Sequence, residues 1–237
     1  MKQVTNEKYI KRNKNIGGAL FIINLAVLGV GAYFAVTSTN NTEGIVWSWV
    51  ALAIGISLTR ISMYFMNRFG RSPRYDEVLA EVFGKLRHDY TFFSFSSPVP
   101  YLLLGPCRLW LPILVTSGGK ISYENGKWKH SGVGLFKILI GQESLVKPEF
   151  EVADATKNIQ QQLAKHGIPF EDQPTIQPVI VLLNSTTKLG NLEGAPYQAI
   201  TLPELKRYIR KVDRENCPSE IAAEDNQKLI RALSEKI

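Results

Sequence analysis

Two apolar stretches near the N-terminus limit what this chain can fold into. Ile16–Val36 runs for 21 residues without a formal charge. At 1.5 Å rise per residue such a helix crosses roughly 30 Å of hydrocarbon. Ile45–Thr59 is uncharged for 15 residues, Arg60 interrupts it, and Ile61–Met66 restores it. Arg60 is near enough to the end of the run to snorkel its guanidinium to the headgroups. Tyr33, Trp47, Trp49 and Tyr64 stand near the span ends, where interfacial aromatics belong. A cleaved signal peptide has an apolar core of about 7–15 residues, shorter than the first run, and here a second span follows at once. The sequence therefore predicts a transmembrane helical hairpin over 16–66.

Charge supports that division. The chain carries 28 basic and 21 acidic residues, a formal net charge of +7. Residues 1–15 hold Lys2, Lys8, Lys11, Arg12 and Lys14 against Glu7, and Arg68, Arg71 and Arg74 follow the second span. Residues 75–237 hold 19 basic and 19 acidic residues and are neutral. The excess charge flanks the apolar runs, so a basic chain that would otherwise suggest nucleic acid is not expected to bind it. The segment between the spans, Thr37–Gly44, has Glu43 and no Lys or Arg. The positive-inside rule then puts both termini in the cytoplasm, with two spans in an inner or plasma membrane. Arg60, Arg68, Arg71 and Arg74 are candidates for headgroup contacts.

The first span is rich in small residues. Gly31-x-x-x-Ala35 would let another helix approach closely, and Asn24 is the strongly polar side chain of the span. Packing against the second span of the same hairpin explains these three residues more simply than a dedicated oligomer interface. Two spans with so few polar groups do not make a channel by themselves.

From Tyr75 the pattern changes to that of an α/β domain with a mixed sheet. Asp76–Arg87 has the apolar stripe of an amphipathic helix. Thr91–Phe95, Tyr101–Leu104, Leu109–Val115 and Val179–Leu183 read as strands, with Pro112 marking an edge or bulge. Lys120–Lys129 reads as a hairpin turning at Asn125-Gly126. Phe150–His166 and Leu202–Arg214 read as helices, and Ser219–Ile237 as a last helix capped by Ser219. The expected organisation is a basic tail over 1–15, the hairpin over 16–66, a basic linker over 67–74, and a domain with C-terminal helices over 75–237.

Leu103-Leu104-Gly105-Pro106, the apolar strand after it, Gly119-Lys120-Ile121 and Trp128 together resemble the nuclease-related domain (NERD) family. Pro148 before a helix, Val179–Asn184, Leu205 and Tyr208-Ile209 continue the likeness, which covers roughly 75–212. It implies a restriction-endonuclease-like core and a glutamate in the first helix, matched by Glu77. It also implies a catalytic Asp before the Gly-Pro strand and a Glu-x-Lys on the next, where carboxylates would hold a divalent ion and lysine would orient water. Those positions fall on Pro100, Ile113 and Val115. The resemblance therefore implies a degenerate copy: no enzyme, no metal and no cofactor.

Other patterns have plain readings. Arg207, Arg210, Lys211 and Arg214, with Lys206, form a basic face that could meet phosphates but also suits a solvated helix side. His88, His130 and His166 have no metal-ligand spacing. Cys107 and Cys217 are expected to be reduced in the cytoplasm.

Three functions remain. The first is a non-catalytic structural or interaction subunit of a membrane complex, held to other subunits through the hairpin. The second is a divergent membrane-tethered nuclease using Glu77, Glu81, Asp89 or Glu124. The third is a sensor or scaffold that recruits a soluble partner through its helical C-terminus.

Overall fold

A computed structural model describes residues 1–37, 42–134, 147–217 and 221–234. The chain divides into two compact units. One contains residues 7–74, and the other contains 1–6 together with 75–133 and the described residues from 147 onward.

The first unit is a helical hairpin of α1 (Glu7–Thr37) and α2 (Thr42–Phe65), with α2 continuing as a π-helical turn over Met66–Gly70. Both helices are long and apolar enough to cross a membrane. Only a narrow strip of each is buried: Ile10, Asn13, Gly17, Asn24 and Gly31 on α1, and Gly44, Gly55 and Ser62 on α2. Gly17, Asn24 and Gly31 are seven apart, the spacing that keeps one line of a helix against a partner. A Cβ on Gly17 would lie 2.8 Å from the Phe65 Cβ, and one on Gly31 would lie 2.7 Å from the Ala51 Cβ. Large apolar side chains elsewhere around the helices, such as Ile22, Trp49 and Val36, are exposed. The tip of the expected inter-span loop, 38–41, lies outside the described residues.

The expected basic tail over 1–15 is corrected. Lys2–Thr5 is a strand, β1, of the second unit, and α1 begins at Glu7, well before the apolar run. Four residues give too short a pattern for periodicity to detect. Their partner is remote in sequence: β1 pairs in parallel with β2 (Thr91–Ser94).

The second unit is a three-layer α/β fold. A six-stranded sheet has the order β1, β2, β3 (Tyr101–Leu104), β4 (Leu109–Val115), β7 (Ile176–Leu182), β9 (Gln198–Thr201). Strand β3 is antiparallel to both neighbours, and the other pairings are parallel. A smaller sheet joins β6 (Lys127–Ser131), β5 (Gly119–Glu124) and β8 (Thr187–Leu189). Asn125 and Gly126 both have positive φ in the β5–β6 turn, as the Asn-Gly pair predicted. Gly119 is held at φ +100° against the Ser131 carbonyl, a position closed to any side chain.

Alternation along β4 sorts the helices into layers. Leu109, Leu111, Ile113 and Val115 join a core with Val152, Ile159 and Leu163 of α4 (Pro148–Lys165) and Leu229 and Leu233 of α6 (Ala223–Ser234). On the opposite face Trp110 meets Tyr208 of α5 (Leu202–Glu215), and Phe92 meets Phe83 of α3 (Tyr75–Gly84). The start of α5 carries a capping box between Thr201 and Glu204. The Ser219 cap expected for the last helix lies outside the described residues, as do 235–237.

Two prolines sit inside this sheet at no cost in hydrogen bonds. The Leu109 N–H donates to the Thr175 carbonyl and the Leu183 N–H to the Val115 carbonyl, both 2.9 Å. Odd positions of β4 therefore face β7, and Pro112 faces the β3 side, where pairing ends at Trp110. Pro178 likewise faces the β9 side before pairing starts at Val179. Each proline's missing donor falls where pairing with the neighbouring strand is not formed.

The same alternation makes the β1 pairing testable. Lys2 N–H donates to the Tyr90 carbonyl and Asn6 N–H to the Ser94 carbonyl, so the Val4 N–H faces β2 and the Gln3 N–H faces away. Val4→Pro should lower the melting temperature by about 2–4 °C, the equivalent of about 1 kcal/mol for a unit of this size. Gln3→Pro should change it far less. Equal effects in a thermal scan of the full chain would contradict the strand assignment.

Candidate functional site

The α/β unit holds a buried ionic cluster that the sequence reading did not single out. Leu205, Ile209 and Asp213 are the buried residues of α5, spaced i, i+4, i+8. An acid that continues an apolar stripe is forced inward, and that was the available signal. Only about 7% of Asp213 is exposed, and the same holds for Arg108. Asp213 Oδ2 accepts hydrogen bonds from the Tyr90 hydroxyl at 2.7 Å and the Trp110 indole N–H at 3.1 Å. Its Oδ1 lies 3.2 Å from Arg108 Nε. The Arg108 guanidinium also donates to the Asn216 carbonyl and lies 5.7 Å from the Trp110 ring centroid.

The partners come from three segments. Tyr90 precedes β2, Arg108 and Trp110 lie just before and within the start of β4, and Asp213 is in the last turn of α5. Gly105, in the β3–β4 turn, allows the approach, since a Cβ there would lie 3.1 Å from Tyr90 Cε1 and 3.3 Å from Asp213 Oδ2. Burial raises the Asp213 pKa, while the Tyr90 and Trp110 hydrogen bonds and the Arg108 charge oppose the rise. Burial and the adjacent carboxylate push the Tyr90 phenol far up, so it remains a donor. Two hydrogen-bond donors and one guanidinium charge converging on one carboxylate make a structural tie between helix and sheet. They do not make a poised acid or nucleophile.

Beside this cluster, Cys107 and Cys217 form a disulfide, 110 residues apart in sequence. This differs from the expectation of two reduced thiols. The Arg108–Asp213 pair brings the β3–β4 turn to the end of α5, and the cysteines flank that junction. A cavity of about 410 Å³ adjoins it, lined by Cys107, Arg108, Thr175, Asn216 and Cys217.

The residues singled out from sequence fall elsewhere. In the hairpin, Asn24 is buried and its Nδ2 donates to Thr59 Oγ1 at 2.8 Å, while the Ser62 hydroxyl donates to the Gly17 carbonyl at 3.1 Å. Gly31 is on the seam, but Ala35 is exposed and lines a groove of about 300 Å³ with Ala32 and Trp49. Arg60 and Arg71 are exposed. Arg68 donates to the Tyr64 hydroxyl at 3.1 Å, and Arg74 lies 3.6 Å from Glu7. On α5, Arg207, Arg210, Lys211 and Arg214 are exposed. Arg207 and Arg214 pair loosely with Glu204 and Glu215, and Arg210 donates to the Lys85 carbonyl at 2.5 Å. Desolvation and then the nearby Arg210 and Lys85 charges hold Lys206 below the usual lysine range.

The acids considered as metal ligands are not brought together. Glu77 and Glu81 are exposed on α3, Asp89 lies 3.4 Å from Arg87, and Glu124 takes a 2.9 Å contact from Lys129. Among the described residues no three His, Cys, Asp or Glu side chains cluster as a metal site. Asp76, not Glu77, is the acid of α3 that turns inward, where it accepts from the Ser94 hydroxyl at 3.0 Å. Pro100 precedes β3, and Ile113 and Val115 are buried in the core against α4 and α6. Compared with known proteins, the chain matches no family model, no curated protein and no solved structure.

Removing one partner of a buried ion pair typically costs about 3–5 kcal/mol. Asp213→Ala should therefore destabilise the protein strongly in urea unfolding followed by tryptophan fluorescence. Asp213→Asn, which keeps an acceptor for Tyr90 and Trp110, should cost less. The exposed control Arg214→Ala should cost almost nothing, and an Asp213→Ala effect no larger than this control would refute the tie.

Proposed function

We propose that this is a two-span membrane protein serving as a non-catalytic structural or interaction subunit of a membrane complex, with its α/β domain in the cytoplasm. The carrying observation is the pairing of β1 with β2. Strand β1 lies before the hairpin in the chain and β2 after it, yet both belong to one sheet. A folded sheet cannot be shared across a bilayer, so a chain that crosses through α1 must return through α2. The basic flanks at 1–15 and 68–74 then favour the cytoplasmic side.

The absence of catalysis is argued from the side chains at the three nuclease positions. Hydrolysis of a phosphodiester needs a metal ion or an equivalent device to neutralise charge and activate water. Pro100, Ile113 and Val115 offer neither ligand nor proton, and β4 between Leu109 and Val115 has no ionisable residue. The order of α3, the β2–β3–β4 meander, α4 and the parallel strand β7 supports a restriction-endonuclease-like ancestry for the domain. The seam of small and hydrogen-bonding residues supports a preformed hairpin that docks as a unit. Purification from the source membrane in mild detergent should recover the chain with a stoichiometric membrane-protein partner, and recovery as an isolated monomer would sink the subunit reading.

Orientation and chemistry are tested separately. In a Cys107→Ser, Cys217→Ser background, Glu43→Cys should react with an impermeant maleimide added to intact cells, and Ser234→Cys should not. The reverse pattern would overturn the orientation. Purified protein should cut neither DNA nor RNA with magnesium or manganese. Cleavage that disappears in Glu77→Ala, Glu81→Ala would instead favour the tethered nuclease.

A further inference from the structure

We propose that Cys107 and Cys217 form a reversible thiol–disulfide exchange site for low-molecular-weight thiols of the glutathione class, latching the end of α5 to the β3–β4 turn. This rests on the cytoplasmic orientation proposed above, because a disulfide on that side of a membrane faces a reducing pool and is rarely a permanent brace.

Four observations carry it. The chain has two cysteines in 237 residues. The fold brings this pair, remote in sequence, to a Cα separation of 5.6 Å, inside the range a disulfide spans. The bond borders the 410 Å³ cavity, of the size that admits a small peptide thiol. The two residues are also unequal: Cys107 is buried and Cys217 is half-buried.

The exchange balances without any further reactant. A glutathione thiolate attacks Cys217 Sγ, forming a mixed disulfide and expelling Cys107 as a thiolate. A second glutathione thiolate attacks the glutathione sulfur of that mixed disulfide and releases oxidised glutathione. Cys217 leaves as a thiolate, and both cysteines take up protons. The electron pair that reduces the protein comes from the two glutathione thiols, and oxidised glutathione drives the reverse reaction. In the reduced state the junction keeps the Arg108 bond to the Asn216 carbonyl and the 2.7 Å bond from Ile221 N–H to the Pro106 carbonyl. It loses its one covalent tie. The core contacts of Leu229 and Leu233 lie downstream of that tie, so the latch controls how readily α6 opens.

The test uses purified full-length protein in detergent, equilibrated across glutathione buffers and trapped with a mass-tagged maleimide. The expected result is a fully reversible two-thiol transition within the reduced-to-oxidised glutathione ratios of the cytoplasm. Amide exchange of 214–217 and 223–234 should quicken about tenfold on reduction, with β4 and β7 unchanged. Thr175→Trp, which fills the cavity, should slow reduction by glutathione about tenfold and leave the equilibrium ratio unchanged. A bond that survives reduced glutathione until the domain unfolds would mark a fixed brace and overturn the proposal. Thiols that never pair on oxidation would overturn it too, as would an unchanged rate in Thr175→Trp. The maleimide assay reports orientation independently, so an error there is distinguishable from a failure of the latch.

Discussion

The parallel ladder between Leu109–Val115 and Ile176–Leu182 is the constraint on which the α/β unit depends. It pairs seven residues of one strand with seven of the other, all well inside the sheet. Both prolines of the ladder direct their missing donors toward stretches where the neighbouring ladder is not formed. Because β4 alternates, one of its faces supplies four aliphatic side chains to the core under α4 and α6, and the other supplies Trp110 to α5. Ile113 and Val115 are thus committed to packing. Burying either side chain contributes about 1.5–3 kcal/mol, and a carboxylate or ammonium group there would need a paired ion or a metal to offset its desolvation. The residues present at these positions serve packing.

Where the apolar stripe of α5 runs out, a charged tie replaces it. Asp213 gathers a phenol, an indole and a guanidinium from segments distant in sequence. Burying such a pair gives little net stability against well-packed hydrophobic residues. Its geometry, however, admits one arrangement of α5 on the sheet and brings the β3–β4 turn to the end of that helix. The disulfide forms across the junction so created. Buried charge, bridge and cavity are consequences of one docking event.

The hairpin has a different logic. Its helices are apolar around most of their circumference, so apolarity alone leaves their mutual rotation open. Rotation is set by the seam, where glycines admit close approach and Asn24 and Ser62 each find a partner across it. Gly18 and Gly29, off the seam, have open space beside them, so glycine content alone does not identify the contact line.

What the sequence determined by itself were properties that local patterns encode. The two apolar runs, the positions of β3 and β4, the Asn-Gly hairpin and the helices closing near His166 and Arg214 follow from hydrophobic period, turn chemistry and charge, each legible within about a dozen residues. Tertiary structure alone decided which distant segments meet. Strands β1, β8 and β9 are three or four residues long and, unlike the equally short but wholly apolar β3, mix polar with apolar residues, so they exist because a partner edge is present. The inward turn of Asp76 rather than Glu77 depends on where Ser94 lies. The joining of Cys107 to Cys217 and the convergence on Asp213 depend on how α5 docks. Pairing across long separations is an energetic outcome of the whole fold, and no local stretch of residues contains it.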